Sequence, residues 1–251
     1  MIILLSPSKN MNEYDHLDCF SQPEFLNKSK LLMNELTKMN INEIKNFMGI
    51  SQKLAELNFN RYQSWNTPFT KINSSPAIFS FTGDVYEGFD VKSLTKKQLD
   101  IAQDKLRILS GLYGILKPFD LIQPYRLEMG KKLSSDKFKN LYQFWNDEIT
   151  TYLNKISYET IVNLASNEYF NVIDRKKLSK KLITPIFKDF KNNKYKVISF
   201  YAKKARGKMA KFIIQHDIKK YHELIMFNLD GYKFNPDLSS NENPVFTRST
   251  V

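Results

Sequence analysis

Five cations stand within nine positions of one another: Lys203, Lys204, Arg206, Lys208 and Lys211. At 100° per residue, Ala202, Ala205, Met209, Phe212, Ile213 and His216 fall within about one third of a helix circumference. This predicts a helix over residues 200–217 with one apolar face, His216 being a satisfied core residue on it. Lys204, Lys208 and Lys211 cluster on the opposite side, flanked by Lys203 and Arg206. Lys203, Lys204 and Arg206 are expected in or near the first turn, where the helix dipole disfavours a cation by a few tenths to about 1 kcal/mol. The free N–H groups of a first turn attract anions. A bound phosphate would account for both, with Lys203, Lys204, Arg206, Lys208 and Lys211 as contacts. An ordinary amphipathic surface helix gives the same periodicity. Gly207 inside the helix costs about 1 kcal/mol against Ala, so a close backbone approach is expected there, by a ligand or by another element.

A second candidate is Leu109-Ser110-Gly111-Leu112-Tyr113-Gly114. A helix followed by this turn resembles the first half of a helix-hairpin-helix DNA module, in which backbone N–H groups meet a phosphate without reading sequence. Ser110, Gly111 and Gly114 would then be contacts. The glycines are spaced G-x-x-G rather than G-x-G, and a plain helix C-cap and turn reads equally well. A third candidate is a set of polar residues in apolar or turn contexts: Ser6, Lys9, Asp84, Tyr86, Arg126, Glu128, Glu168 and Arg206. Brought together they would form an acid–base pocket, with Lys9, Asp84, Arg126 and Glu168 as catalytic candidates and Lys9 also near a bound phosphate. Taken singly, Asp84 serves a turn, Glu168 a first helical turn, and Arg126 with Glu128 a surface pair.

Other chemistries lack their residues. His16, His216 and His222 with Cys19 show no metal-ligand spacing, so neither a metal nor direct iron chelation is expected. There is no P-loop, dinucleotide glycine pattern or G-x-S-x-G elbow, and no cofactor is expected.

Charge narrows the partner. The chain carries 38 Lys and Arg against 26 Asp and Glu, for a net +12. Only six of the bases are Arg, and Lys with Asn enrichment is also what an AT-rich genome imposes. The distribution is more telling: residues 175–220 hold 16 bases and two acids, while the rest of the chain is at −2. A localised positive field attracts phosphates and releases counterions on contact. A solvated basic face without a partner is the alternative.

The elements that must position these residues read as an irregular alternation. Met1 to Ser6 predicts a buried strand. A helix follows Pro23, a second starts at the Asn40/Glu43 capping pair, and a third covers Ser51 to about Ser64. Ala77 to Phe81 is a strand candidate. Thr95 with Gln98 caps a helix whose stripe is Leu99, Ala102, Leu106 and Leu109, stopped by Gly111 and Gly114. A helix covers Lys137 to Ile156, Thr160 to Ala165 is a strand, and Ser166 caps a short helix through Phe170. Leu182 to Phe190 and Tyr195 to Phe200 form a hairpin around Lys191-Asn192-Asn193-Lys194. Leu224 to Asn228, Tyr232 to Asn235 and Val245 to Arg248 are closing strands. The class is therefore mixed α/β, a single compact domain over 1–251 with a mixed sheet flanked by helices. No apolar run approaches the ~20 residues of a membrane span. The apolar start is too short for a signal peptide, and the single Cys19 cannot form an internal disulfide. The expected location is the cytoplasm, and the expected state a monomer.

Several stretches together resemble the YaaA family of bacterial peroxide-stress proteins, nearly end to end. They are Ile3 to Lys9, Phe81 to Tyr86, Leu109 to Leu116, Gln123 to Gly130, Leu141 to Trp145, Asn163 to Ser166 and Ile198 to Gly207. The resemblance implies a cytosolic DNA-binding protein linked to lowering free iron during hydrogen peroxide stress. It also implies one compact α/β domain with a positively charged cleft and a helix-hairpin-helix element. Binding to duplex or distorted DNA, without base-sequence readout, follows as the expectation.

Overall fold

A computed structural model of the chain describes residues 1–12 and 20–249; the readings of His16 and Cys19 lie outside them. The first strand, β1 (Ile2–Leu5), is wholly buried, as an apolar run with parallel neighbours on both sides should be. Three helices follow: α1 (Leu26–Leu36), α2 (Ile41–Met48) and α3 (Gln52–Ser64). Asn40 and Glu43 form the expected capping box of α2, and Ser51 caps α3. Next come β2 (Ser75–Pro76), α4 (Ala77–Ser80) and α5 (Asp84–Phe89). The Ala77 to Phe81 stretch is thus a helical turn rather than a strand, since Ala77 and Ile78 bond back to Asp120 and Pro118 while Phe81 closes on Ala77.

The Thr95/Gln98 capping box opens α6 (Lys96–Lys105) as expected. The helix stops at Lys105, and the chain becomes β3 (Leu106–Ser110), β4 (Gly114–Leu116) and β5 (Leu121–Ile122). Leu106 and Leu109 therefore belong to a strand paired in parallel with β1, not to the α6 stripe. Ser110, Gly111 and Gly114 lie in a strand–turn–strand hairpin rather than a helix-hairpin-helix. All three are buried. A side chain at Gly111 would strike the Leu127 carbonyl, and one at Gly114 the Trp145 ring. These glycines serve packing, and they offer no face to a phosphate.

The chain continues through α7 (Leu141–Lys155), β6 (Thr160–Asn163), α8 (Asn167–Phe170) and β7 (Lys181–Ile183). It ends with β8 (Ile186–Lys191), β9 (Lys194–Lys196), α9 (Ser199–Gln215), β10 (Lys233–Phe234) and β11 (Val245–Arg248). Leu224, expected in a strand, lies in a 3-10 turn over Tyr221–Met226. The first sheet has the order β4-β3-β1-β6-β7, with β1, β3, β6 and β7 parallel. The second has the order β10-β11-β8-β9. Leu182 and Ile183 thus belong to the first sheet and not to the β8–β9 hairpin. That hairpin turns through Asn192 and Asn193, both at positive φ, which suits the twist of a two-residue loop. Its base is pinned by Asp189, fully buried, which accepts from Arg248 Nε at 2.7 Å and from the Tyr232 hydroxyl at 2.9 Å. Phe187, Phe227, Tyr232 and Phe246 pack around that base.

The helix α9 buries Ala202, Ala205, Met209, Phe212 and Ile213, as its periodicity requires. His216, expected in the core, is instead exposed where the helix ends, with its ring beside that of Phe212. Gly207 meets Gly88 of α5: a Cβ on Gly207 would overlap the Val85 carbonyl oxygen, and one on Gly88 the Lys204 carbonyl oxygen. The two backbones touch, so the approach that justifies Gly207 is made by another element. Among the described residues, no helix is long and apolar enough to cross a membrane.

Candidate functional site

The carboxyl end of β1 lies between those of β3 and β6, the place where open α/β sheets leave a crevice. A cleft of about 410 Å³ opens there. Ser6, Ser8 and Lys9 enter it from the exit of β1, Asp84 and Tyr86 from α5, Ser166, Glu168 and Tyr169 from beyond β6, and Lys203 and Arg206 from α9. The glycine crossing of α5 and α9 sets Asp84 opposite Lys203, 3.7 Å away. The exit of β1 is fixed by two contacts. The Tyr86 hydroxyl donates to the Ser6 carbonyl at 2.9 Å, and the Ser166 N–H donates to Ser6 Oγ at 2.8 Å. Burial pushes the Tyr86 hydroxyl well above its ordinary value, so it stays a proton donor.

Lys9 links the cleft to a buried pair behind it. Its Nζ is 3.4 Å from Glu128 Oε1, which also takes Arg126 Nη2 at 3.0 Å. Burial raises the Glu128 pKa, but the Arg126 guanidinium and Lys9 overcome it and hold the carboxyl below its ordinary value. Glu128 Oε2 is buried without a hydrogen-bond partner among the described residues. On the far wall, Glu168 Oε1 accepts from the Gly130 N–H at 3.1 Å.

All eight residues of the third candidate set therefore meet. Ser6, Lys9, Asp84, Tyr86, Glu168 and Arg206 line the cleft, and Arg126 with Glu128 join it through Lys9. The lining carries three cations and two carboxylates, so it is mixed in charge rather than uniformly basic. Ser166 and Tyr169 also line the cleft, and the sequence marks neither as a site residue, Ser166 figuring there as a helix cap.

The five α9 cations separate. The helix begins at Ser199, one turn before Lys203, so Lys203, Lys204 and Arg206 miss its first turn. The dipole argument fails for that reason. Lys208 pairs with Asp230, and Lys211 with Asp90 at 2.9 Å, so neither presents a free charge. Lys204 has no carboxylate within 4.0 Å among the described residues. Arg206 donates Nε to the Ala202 carbonyl one turn back at 3.2 Å, and burial alone draws its pKa down. It has no carboxylate partner among the described residues either. Arg206 also lines a second cavity of about 460 Å³, where it faces Asn163, Asn167 and Arg175. No group of three or more His, Cys, Asp or Glu side chains among the described residues is placed to hold a metal ion.

Comparison with known proteins gives this geometry a family. The family model for the peroxide stress protein YaaA matches residues 1–238. The UPF0246 protein NMA1114 of Neisseria meningitidis serogroup A is 50% identical over 256 residues, covering 99% of this chain and 98% of that protein. The UPF0246 protein FP0718 of Flavobacterium psychrophilum is 49% identical over 252 residues, covering 99% and 100%. The UPF0246 protein Mmwyl1_3597 of Marinomonas is 49% identical, covering 99% and 97%. On both the family model and these full-length relatives, the chain belongs to the YaaA (UPF0246) family of peroxide stress proteins.

Proposed function

We propose that the protein binds nucleic acid through its phosphodiester backbone, without base-sequence readout, and that one phosphate sits in the cleft between Lys9, Lys203 and Arg206. The observation that carries this reading is Arg206. A half-buried guanidinium whose hydrogen-bond acceptor among the described residues is one main-chain carbonyl is poorly compensated, and a phosphate oxygen supplies the charge-assisted bonds it lacks. Lys188, Lys191, Lys194, Lys196 and Lys204 of the same basic stretch have no carboxylate within 4.0 Å among the described residues, and that favours a polyanion over a small ligand. The partner is duplex or distorted DNA, bound in the cytoplasm by a monomer. In a peroxide-stress family, occupancy of DNA would limit iron-dependent damage, with no iron bound by this chain. The test is affinity across a salt series. Lys203→Glu with Arg206→Glu should weaken all sequences alike and flatten the salt slope by roughly one unit per lost contact. A wild-type affinity indifferent to salt would end the reading.

A second reading draws on the convergence of the eight polar residues: an enzyme acting on nucleic acid or a phosphorylated small molecule. Lys9, Asp84, Arg126 and Glu168 are its catalytic candidates. Asp84→Asn would then abolish turnover and leave DNA affinity nearly unchanged. Wild-type protein inert toward nicked, damaged and branched DNA and toward phosphorylated small molecules removes that reading.

A further inference from the structure

The β8–β9 hairpin carries side chains that the cleft does not use. Register pairs Phe190 with Tyr195, and both rings are solvent-exposed, at 42% and 37%. Their centroids are 5.2 Å apart with planes at 63°, so they touch by an edge and each keeps an open face. Lys188 lies on the same face of β8 by strand alternation. Lys191 and Lys194 flank the turn and Lys196 closes β9, all three on the opposite face of the ribbon by the same alternation. None of these four lysines has a carboxylate within 4.0 Å among the described residues. The one acid of the hairpin, Asp189, is buried and already held by Arg248 and Tyr232. The hairpin runs straight into α9, and Val197 just after β9 shares the second cavity with Arg206. Arg206 lies seven residues after Ser199 on the helix, about 10 Å of rise.

Two open rings with Lys188 on one face of an edge ribbon, and three more unneutralised lysines on its other face, match a chain of phosphates bearing separable bases that crosses the free edge of β9. A paired duplex keeps its base faces closed, so the rings have no use against it. Unpaired bases stack on such rings whatever their sequence. The edge-on ring pair is too small and too charged around its rim for a dry protein contact.

We infer that the β8–β9 hairpin is a binding surface for single-stranded or unpaired nucleic acid, with bases stacked on Phe190 and Tyr195, one phosphate on Lys188 beside them, and further phosphates on Lys191, Lys194 and Lys196 across the free edge of β9. The inference rests on the nucleic-acid reading above and gives it a structural preference: strands that are open next to the cleft. Stacking contributes about 5- to 150-fold per base when converted from its usual range.

The test uses the full chain and a labelled 12-mer of deoxythymidine, with a duplex of the same length at the same salt, followed by anisotropy. Phe190→Ala with Tyr195→Ala should weaken the single strand at least tenfold and the duplex less than threefold. Phe190→Tyr with Tyr195→Phe should restore single-strand binding, which separates stacking from a folding defect. In a third variant, Tyr195→Trp, indole emission should be quenched as the oligonucleotide is added. The inference is overturned if the double alanine variant binds the single strand like wild type. It is overturned equally if the emission of the Tyr195→Trp variant does not respond while the oligonucleotide binds, or if the rings are needed for phosphatidylglycerol vesicles and not for the oligonucleotide. Wild-type protein that binds neither DNA would instead bring down the nucleic-acid reading as a whole.

Discussion

The cations of α9 and those of the β8–β9 hairpin come from one basic stretch of sequence, and the fold treats them differently. On α9, Lys203, Lys208 and Lys211 face Asp84, Asp230 and Asp90, residues from other parts of the chain. In the hairpin, Lys188, Lys191, Lys194 and Lys196 meet no such partner among the described residues. A segment's net charge is therefore a poor guide to the charge it presents. What counts is whether tertiary structure supplies carboxylates from elsewhere: among the described residues it does so for three of the five cations on the helix that packs against α5, Lys204 and Arg206 being left out, and for none of the four lysines on the ribbon that leaves the core.

The strongest way to break this contrast is to remove the hairpin's anchor. Asp189→Ala leaves Arg248 partly buried without its carboxylate and should cost about 3–5 kcal/mol in urea unfolding. A loss below about 1 kcal/mol would mean that the hairpin base is not held as described. Gly207→Ala comes next. The added methyl meets the Val85 carbonyl of α5, so stability should fall by about 1–3 kcal/mol. Gly88→Ala should act alike and, being at the same crossing, should not add fully to it.

Smaller effects sharpen the comparison at the cleft. Glu128 has a depressed folded pKa, so its stabilisation is present above the ordinary value of 4.5 and is lost as pH falls through the folded value. Glu128→Gln should therefore flatten the acid limb of the stability profile below about pH 4.5, leaving neutral pH to report only the lost ion pairs. An unchanged acid limb would contradict the Lys9–Glu128–Arg126 arrangement. Smallest of all, Lys208→Ala or Lys211→Ala should cost at most about 1 kcal/mol of stability, since partly exposed pairs are worth little.

Local signals in the sequence are largely readable. The caps at Asn40, Ser51 and Thr95 and the apolar face of α9 depend on residues a few positions apart, and each stands where its pattern puts it. His216 departs from that face because the helix ends at Gln215, one residue before it. The α6–β3 junction is not readable, because Leu99, Ala102, Leu106 and Leu109 keep helical spacing across the point where pairing with β1 takes over. The helix-hairpin-helix reading falls with it. The cleft is legible as a set of polar residues out of place, yet its convergence draws on segments around residues 8, 84, 168 and 205, and no local pattern encodes that. Gly207 is marked by its sequence as a close-approach site, while its partner Gly88 lies in α5, far from it along the chain. The pairing of α9 lysines is hidden for the same reason, and only the turn at Asn192-Asn193 hints that the hairpin lysines stand apart.

One measurement tests the central claim directly: the dependence of DNA affinity on salt, as log K against log salt, for wild type and two matched variants. Replacing Lys188, Lys191, Lys194 and Lys196 by Ala should reduce the slope by about 3–4 units if each meets a phosphate. Replacing Lys208 and Lys211, already neutralised by aspartates, should leave it within about half a unit of wild type. Equal losses from the two variants, or a wild-type slope near zero, would contradict the account.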